Sequence, residues 1–154
     1  MTQRKLQAGF TLVELVIVIL ILGILSAVAL PRFANLGIDA RKAKAEAIYG
    51  SVRAATQIVR AAALVGNSTG ATGTVTLDGA TVNTVYGFPE ASANGIVLAA
   101  GISANDDKVT IQSPSPGVTT IQINNAATLA QCQITFTQAT AAAAATTALV
   151  ETAC

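Results

Sequence analysis

The 154-residue sequence has no histidine and no tryptophan, only two cysteines, and 11% charged residues. Without histidine it lacks the side chain that titrates near neutrality and most often serves as general base and metal ligand. Its serines and threonines have no evident base partner, and no Gly-rich loop stands between a strand pattern and a helix pattern. Nothing therefore suggests nucleophilic catalysis or phosphate binding, and no enzymatic role is expected. Aromatics are 4% of the chain and the formal net charge is +1, so neither base stacking nor a basic field for phosphates is available and no nucleic-acid partner is expected. Two thiols without histidine make a poor metal set, and no cofactor is expected.

What the chain does have is one long apolar run near its start. From Phe10 to Leu30 the only side chains that are neither apolar nor Gly are Thr11, Glu14 and Ser26. A helix of roughly 20 such residues crosses a hydrocarbon core about 30 Å thick. Glu14 lies near the beginning of that run, where an unpaired carboxylate costs on the order of a few kcal/mol, so it needs a partner or a place at the interface. A cut after Gly9 would make Phe10 the N-terminus, with a positive amine about one helical turn before Glu14. The amine and carboxylate can pair within one chain, or the carboxylate of one copy can meet the amine of the next, which would bring copies together in register. Two other readings share the run. One is a secretory signal cut after Ala29, although such segments are usually shorter and uncharged; the other is an uncleaved single-pass anchor, which gives Glu14 and the Gly9-Phe10 junction no reason.

The basic leader (Arg4, Lys5), the junction Gly9-Phe10, the sequence Thr11-Leu12-Val13-Glu14, and the apolar segment ending at Pro31 together resemble the type IV pilin and pseudopilin family. The resemblance implies that a prepilin peptidase cuts after Gly9 on the cytoplasmic side and methylates the amine of Phe10. The apolar segment then stays on the protein, and many copies pack it into the core of a helical filament built at a pilus assembly platform. Glu14 would be the assembly residue.

Removing residues 1–9 takes away Arg4 and Lys5, leaving seven of the nine basic side chains against eight acidic ones. Cys132 and Cys154 suggest an exported domain with one disulfide, two free thiols being the other possibility. Basic residues flank both sides of the run, so charge bias does not set topology; the cysteine pair places residues 31–154 outside the cytoplasm. Pro31 lacks an N–H and crowds the carbonyl of Ala27, so a kink or opened segment is expected between Gly23 and Pro31, unless Pro31 simply starts a second helix. Beyond it, Ile38, Ala45, Ile48, Val52, Ala55, Val59 and Ala62 form the stripe of an amphipathic helix, expected to stop near Val65-Gly66. The opposite face carries Asp39, Arg41, Lys42, Glu46, Arg53 and Arg60, read as solvated or as pairing between subunits.

Residues 66–73 are a flexible loop by composition, and Asn67-Ser68-Thr69 has the form of a glycosylation acceptor. Thr74–Leu77, Asp78-Gly79 and Thr81–Val85 read as a hairpin, after which Tyr86-Gly87-Phe88-Pro89 breaks the strand. Residues 91–102 suit a short helix. Asn105, Asp106 and Asp107 read as a turn or as calcium ligands. Lys108–Gln112, Val118–Ile123 and Cys132–Thr137 alternate as strands, with a turn at Ser113–Gly117, while Ala141–Ala145 fits either a loop or a strand.

Val75-Thr76-Leu77-Asp78-Gly79, the Tyr86–Pro89 corner and the Cys132–Cys154 spacing further resemble major pilins of the mannose-sensitive haemagglutinin class of type IVa pilins. The resemblance implies surface attachment. The expected fold is α+β: a long N-terminal hydrophobic helix, kinked near Pro31, whose C-terminal half packs on an antiparallel sheet. The expected division is a cleaved leader (1–9), a membrane or filament-core helix (10–30), an amphipathic helix (31–65), and a β-rich head (66–154) closed by a 132–154 disulfide loop. The precursor would be a single-pass inner-membrane protein, and the assembled pilus extracellular. A pseudopilin or minor pilin of a type II secretion or DNA-uptake machine, and an anchored exported binding module acting alone, are the competing functions.

Overall fold

The computed structural model describes residues 10–154, with the backbone alone at residues 32–34. One helix, α1 (Leu12–Val65), takes up 54 residues. It runs through Pro31 without a break in its helical assignment. Of the two expectations for Pro31, a proline inside one helix or the start of a second, the first matches this run: proline removes one N–H and crowds one carbonyl, and a long helix absorbs this without ending.

The chain divides into two compact units, at Gly37 and Ile38. In the first, the large apolar side chains of α1 from Leu12 to Leu30 are exposed, and among the described residues of this unit none is buried.

The second unit, Ile38–Cys154, holds the rest of α1 and seven strands. In chain order these are β1 (Gly73–Leu77), β2 (Ala80–Val85), β3 (Phe88–Pro89), β4 (Val109–Ser115), β5 (Val118–Ile123), β6 (Gln133–Thr137) and β7 (Thr146–Val150). They form two antiparallel sheets, ordered β1-β2-β3 and β4-β5-β6-β7. The fold is α+β, a long apolar N-terminal helix followed by antiparallel sheets, and it is consistent with the type IV pilin fold.

The side-chain sizes on α1 explain how the helix meets both sheets. Ala45, Ile48, Val52 and Ala55 share one core with Ile121, Ile123, Ile134 and Phe136 of the four-stranded sheet. Two turns on, Val59 and Ala63 share a second core with Val75 and Val82 of the three-stranded sheet. Alanines at these contacts let the helix backbone approach the strands closely, and the branched residues fill the space between. On β6 the strand period of two sends Ile134 and Phe136 into the core and leaves Thr135 between them half-buried.

The β1–β2 hairpin forms at the expected place. Asp78 and Gly79 have φ of 49° and 81°, the paired positive values of a two-residue type I′ turn, and Leu77 faces Ala80 across it. Local details differ from expectation. Helix α1 ends at Val65, as expected, but the left-handed residue of its stop is Asn67 and not Gly66: Asn67 has φ of 51°, its N–H bonds the Leu64 carbonyl at 3.3 Å, and Ser68 N–H bonds the Ala63 carbonyl at 2.8 Å. This is a Schellman stop with asparagine in the left-handed position. Phe88-Pro89 does not end the pairing but adds the edge strand β3, a position where proline needs no donor. Strand β4 continues to Ser115 past the expected turn, with a register shift between Gln112 and Ser115 that accommodates Pro114. Residues 138–145 are irregular, and the chain then re-enters the sheet as β7 beside β6.

The polar face expected on α1 is only partly solvated. Asp39, Glu46 and Arg53 are exposed. Arg41 Nε donates to the carbonyl oxygen of Cys154, Lys44 Nζ to that of Asp107, and Arg60 Nη1 to that of Tyr86 at 2.8 Å. These long stems lie along apolar surface and their heads tie down returning loops.

Candidate functional site: the start of the long helix

The first turn of α1 carries the chemistry. Thr11 precedes the first helical residue, so its side chain faces the helix N–H groups that have no partner within the helix. Glu14 N–H donates to Thr11 Oγ1 at 3.2 Å, and Thr11 N–H donates back to Glu14 Oε2 at 2.9 Å. The Thr11 hydroxyl also donates to the same Oε2, at 2.8 Å. This is a capping box, a Thr and a Glu three residues apart satisfying each other's backbone donors. The Thr-x-x-Glu spacing of Thr11 and Glu14 is the sequence signal of this cap.

The cap changes the electrostatic argument. In one chain Glu14 already has a polar partner, so it is not an orphan carboxylate waiting for a neighbour. Only Oε2 is engaged, however, and among the described residues Oε1 accepts no hydrogen bond. The box thus holds the carboxylate at the positive end of the helix, with one oxygen free to accept a further donor. Phe10 lies just outside the helix and is 90% exposed. Gly9, Arg4 and Lys5 lie outside the described residues.

The remaining sequence candidates are scattered. Pro31 is exposed within α1. Cys132 and Cys154 are joined by a disulfide with Cα atoms 4.8 Å apart, and both are buried in the larger core. At Asn105–Asp107, Asp107 Oδ2 accepts from Ser103 N–H at 2.8 Å, the bond of a turn, and no group of three metal-ligating side chains occurs among the described residues. Asn67 is exposed at the helix stop. Among the described residues α1 is the one helix long and apolar enough to cross a membrane.

Residues 4–30 match the family model described as the prokaryotic N-terminal methylation motif. The major component PilA5 of the type IV narrow pilus of Thermus thermophilus is 53% identical over 47 residues, which is 30% of this chain and 40% of that protein. The match therefore spans well under half of the relative's length. No solved structure matches.

Proposed function

We propose that this chain, whose N-terminal segment carries the methylation motif and is similar to that of a type IV pilus major component, is a structural subunit of a type IV pilus. The observation that carries the reading is the coincidence of that motif at residues 4–30 with an apolar helix whose large side chains from Leu12 to Leu30 are exposed among the described residues. Such a surface is stable in lipid or against other copies of itself, and the same segment can pass from one to the other.

In this reading a prepilin peptidase cuts between Gly9 and Phe10 and methylates the new amine. The precursor sits in the inner membrane with residues 31–154 outside the cytoplasm until an assembly platform adds it to a filament. There the amine of Phe10 meets the free oxygen of Glu14 on a neighbouring copy, and this pairing sets the register. Pro31 is the place where α1 yields as the filament packs. The β-rich second unit is displayed outward and serves surface attachment, with the Cys132–Cys154 bond fixing its C-terminal segment.

Intact-mass measurement of the chain recovered from sheared fibres tests the proposal. The expected mass is that of residues 10–154 plus one methyl group. A chain that keeps Met1, or one that begins at Leu30, overturns it. A chain of the expected mass that is absent from the bulk of the fibre shifts the role to a minor subunit.

A further inference from the structure

We propose a ligand site in the second unit: the cleft between Arg60, Tyr86 and residues 139–144 binds the carboxylate of an acidic sugar. This does not rest on the filament reading, since every residue involved lies in one unit of a single chain.

The cleft has a volume of about 340 Å³. That is at the small end for ligand sites and suits one sugar ring better than a peptide. Its cation is held in a built seat. The Arg60 guanidinium stacks over Phe88, 4.6 Å from the ring centroid, and donates through Nη1 to the Tyr86 carbonyl at 2.8 Å. Tyr86 and Gly87 form the two-residue turn between β2 and β3, with φ of 50° and 75°. A tyrosine in the left-handed region is strained, and such strain gathers where a group must be aimed. Here it aims a carbonyl at an arginine. Gly87 beside it has a φ that side-chain-bearing residues rarely adopt, and a Cβ there would displace Arg60 Nη1 from its seat.

Guanidinium has five N–H donors in a planar fork that matches a carboxylate. Among the described residues Arg60 uses one on Tyr86 and none on an acid. The facing wall is also preformed. Thr140 N–H bonds the Ala143 carbonyl at 2.8 Å, and Thr140 Oγ1 accepts from Ala143 N–H at 3.1 Å, so the loop holds its shape without a sheet or helix. The alanine-rich lining on this side and the arginine on the other suit the C–H surface and the carboxylate of a sugar acid, respectively.

The test is saturation-transfer NMR on the full mature chain in detergent, with galacturonate, galactose and a glutamate-rich pentapeptide as probes. Galacturonate is expected to bind with Kd on the order of 1 mM and galactose at least tenfold more weakly. Arg60→Gln should lower galacturonate binding at least tenfold. Ala142→Glu, a change at an exposed loop position, should do the same with an unchanged circular dichroism spectrum and melting temperature. Equal signals from galactose, wild-type binding by Ala142→Glu, or tighter binding of the peptide than of the sugar would each overturn the proposal.

Discussion

Replacing Glu14 by Gln separates two roles that Glu14→Ala confuses. Gln at the third helical position still completes a capping box, so the Thr11 N–H keeps an acceptor and the helix start is preserved. What Gln cannot supply is the charge that, on the proposed pairing, would meet a neighbour's amine in a water-poor filament core. Removing one partner of such a desolvated pair costs about 3–5 kcal/mol, because the other charge is left uncompensated. At 1.4 kcal/mol per factor of ten, about 3 kcal/mol weakens each subunit contact by more than roughly a hundredfold. Thr11→Val does the reverse. It removes the hydroxyl bonds and costs about 1 kcal/mol of helix start, a factor of about five, but keeps the carboxylate.

The assay is the yield of sheared fibres divided by subunit in the membrane, measured by immunoblot for both variants and for the double. Amide exchange at Glu14 and Leu15, whose N–H groups bond the Thr11 hydroxyl and carbonyl, reports the cap separately in micelles. Glu14→Gln should keep the protection of those amides and lose nearly all fibres; Thr11→Val should lose protection and keep most fibres. If Glu14→Gln assembles like wild type, or Thr11→Val fails as badly, Glu14 acts only as a cap and the pairing argument is wrong.

Three further outcomes concern the second unit, and thermal melts check each. Phe136→Ala should destabilise by about 3–5 kcal/mol, since Phe136 is 0% exposed at the centre of the larger core. Thr119→Val should stabilise by about 1 kcal/mol, because the buried Thr119 hydroxyl has no hydrogen-bond partner and valine fills the same shape without that penalty. Cys154→Ser should cost about 3 kcal/mol, the chain-entropy value for a bridge between residues 22 apart, with wild-type protein in reductant melting at the same lower temperature.

The sequence was most readable where a local rule had no competitor. The hairpin at Asp78-Gly79 and the strand Val118–Ile123 are set by turn geometry and strand period and stand where expected, although Thr119, Thr120 and Ile121 are all buried, so the expected alternation is broken there. The stripe Ala45, Ile48, Val52, Ala55 and Val59 is buried as a helix period predicts. Misreadings came where tertiary contact outweighed the local signal. Gly66 looked like the helix stop, but the Schellman bonds put the left-handed residue one position later, at Asn67. Pro114 suggested a turn, yet β4 lies at a sheet edge and needs no donor there. Arg41 and Arg60 sat on the polar side of the helix pattern, and nothing local could show that Cys154 and Tyr86 would return to meet them.

At the candidate site the motif and the acid were legible, whereas the cap was overlooked because the charge had drawn the whole explanation. Once the box is included, the order of events becomes physically simpler. On the proposed reading, an acid held by its own helix start would enter lipid with one oxygen already bonded, so insertion would not depend on finding a partner first, and assembly would add an amine to the other oxygen without breaking the cap. The change along α1 from large branched side chains before Pro31 to alanine-rich contacts after Ile38 fits the same division of labour. Bulky apolar groups favour lipid or other copies over water, and small ones let the helix backbone lie against strands of its own chain. Lengthening a side chain of the second part, for instance Ala45→Leu at a fully buried position, should therefore destabilise the second unit by about 1–3 kcal/mol in a thermal melt and leave partition into micelles unchanged, whereas shortening those of the first part should weaken micelle partition and leave the melt unchanged.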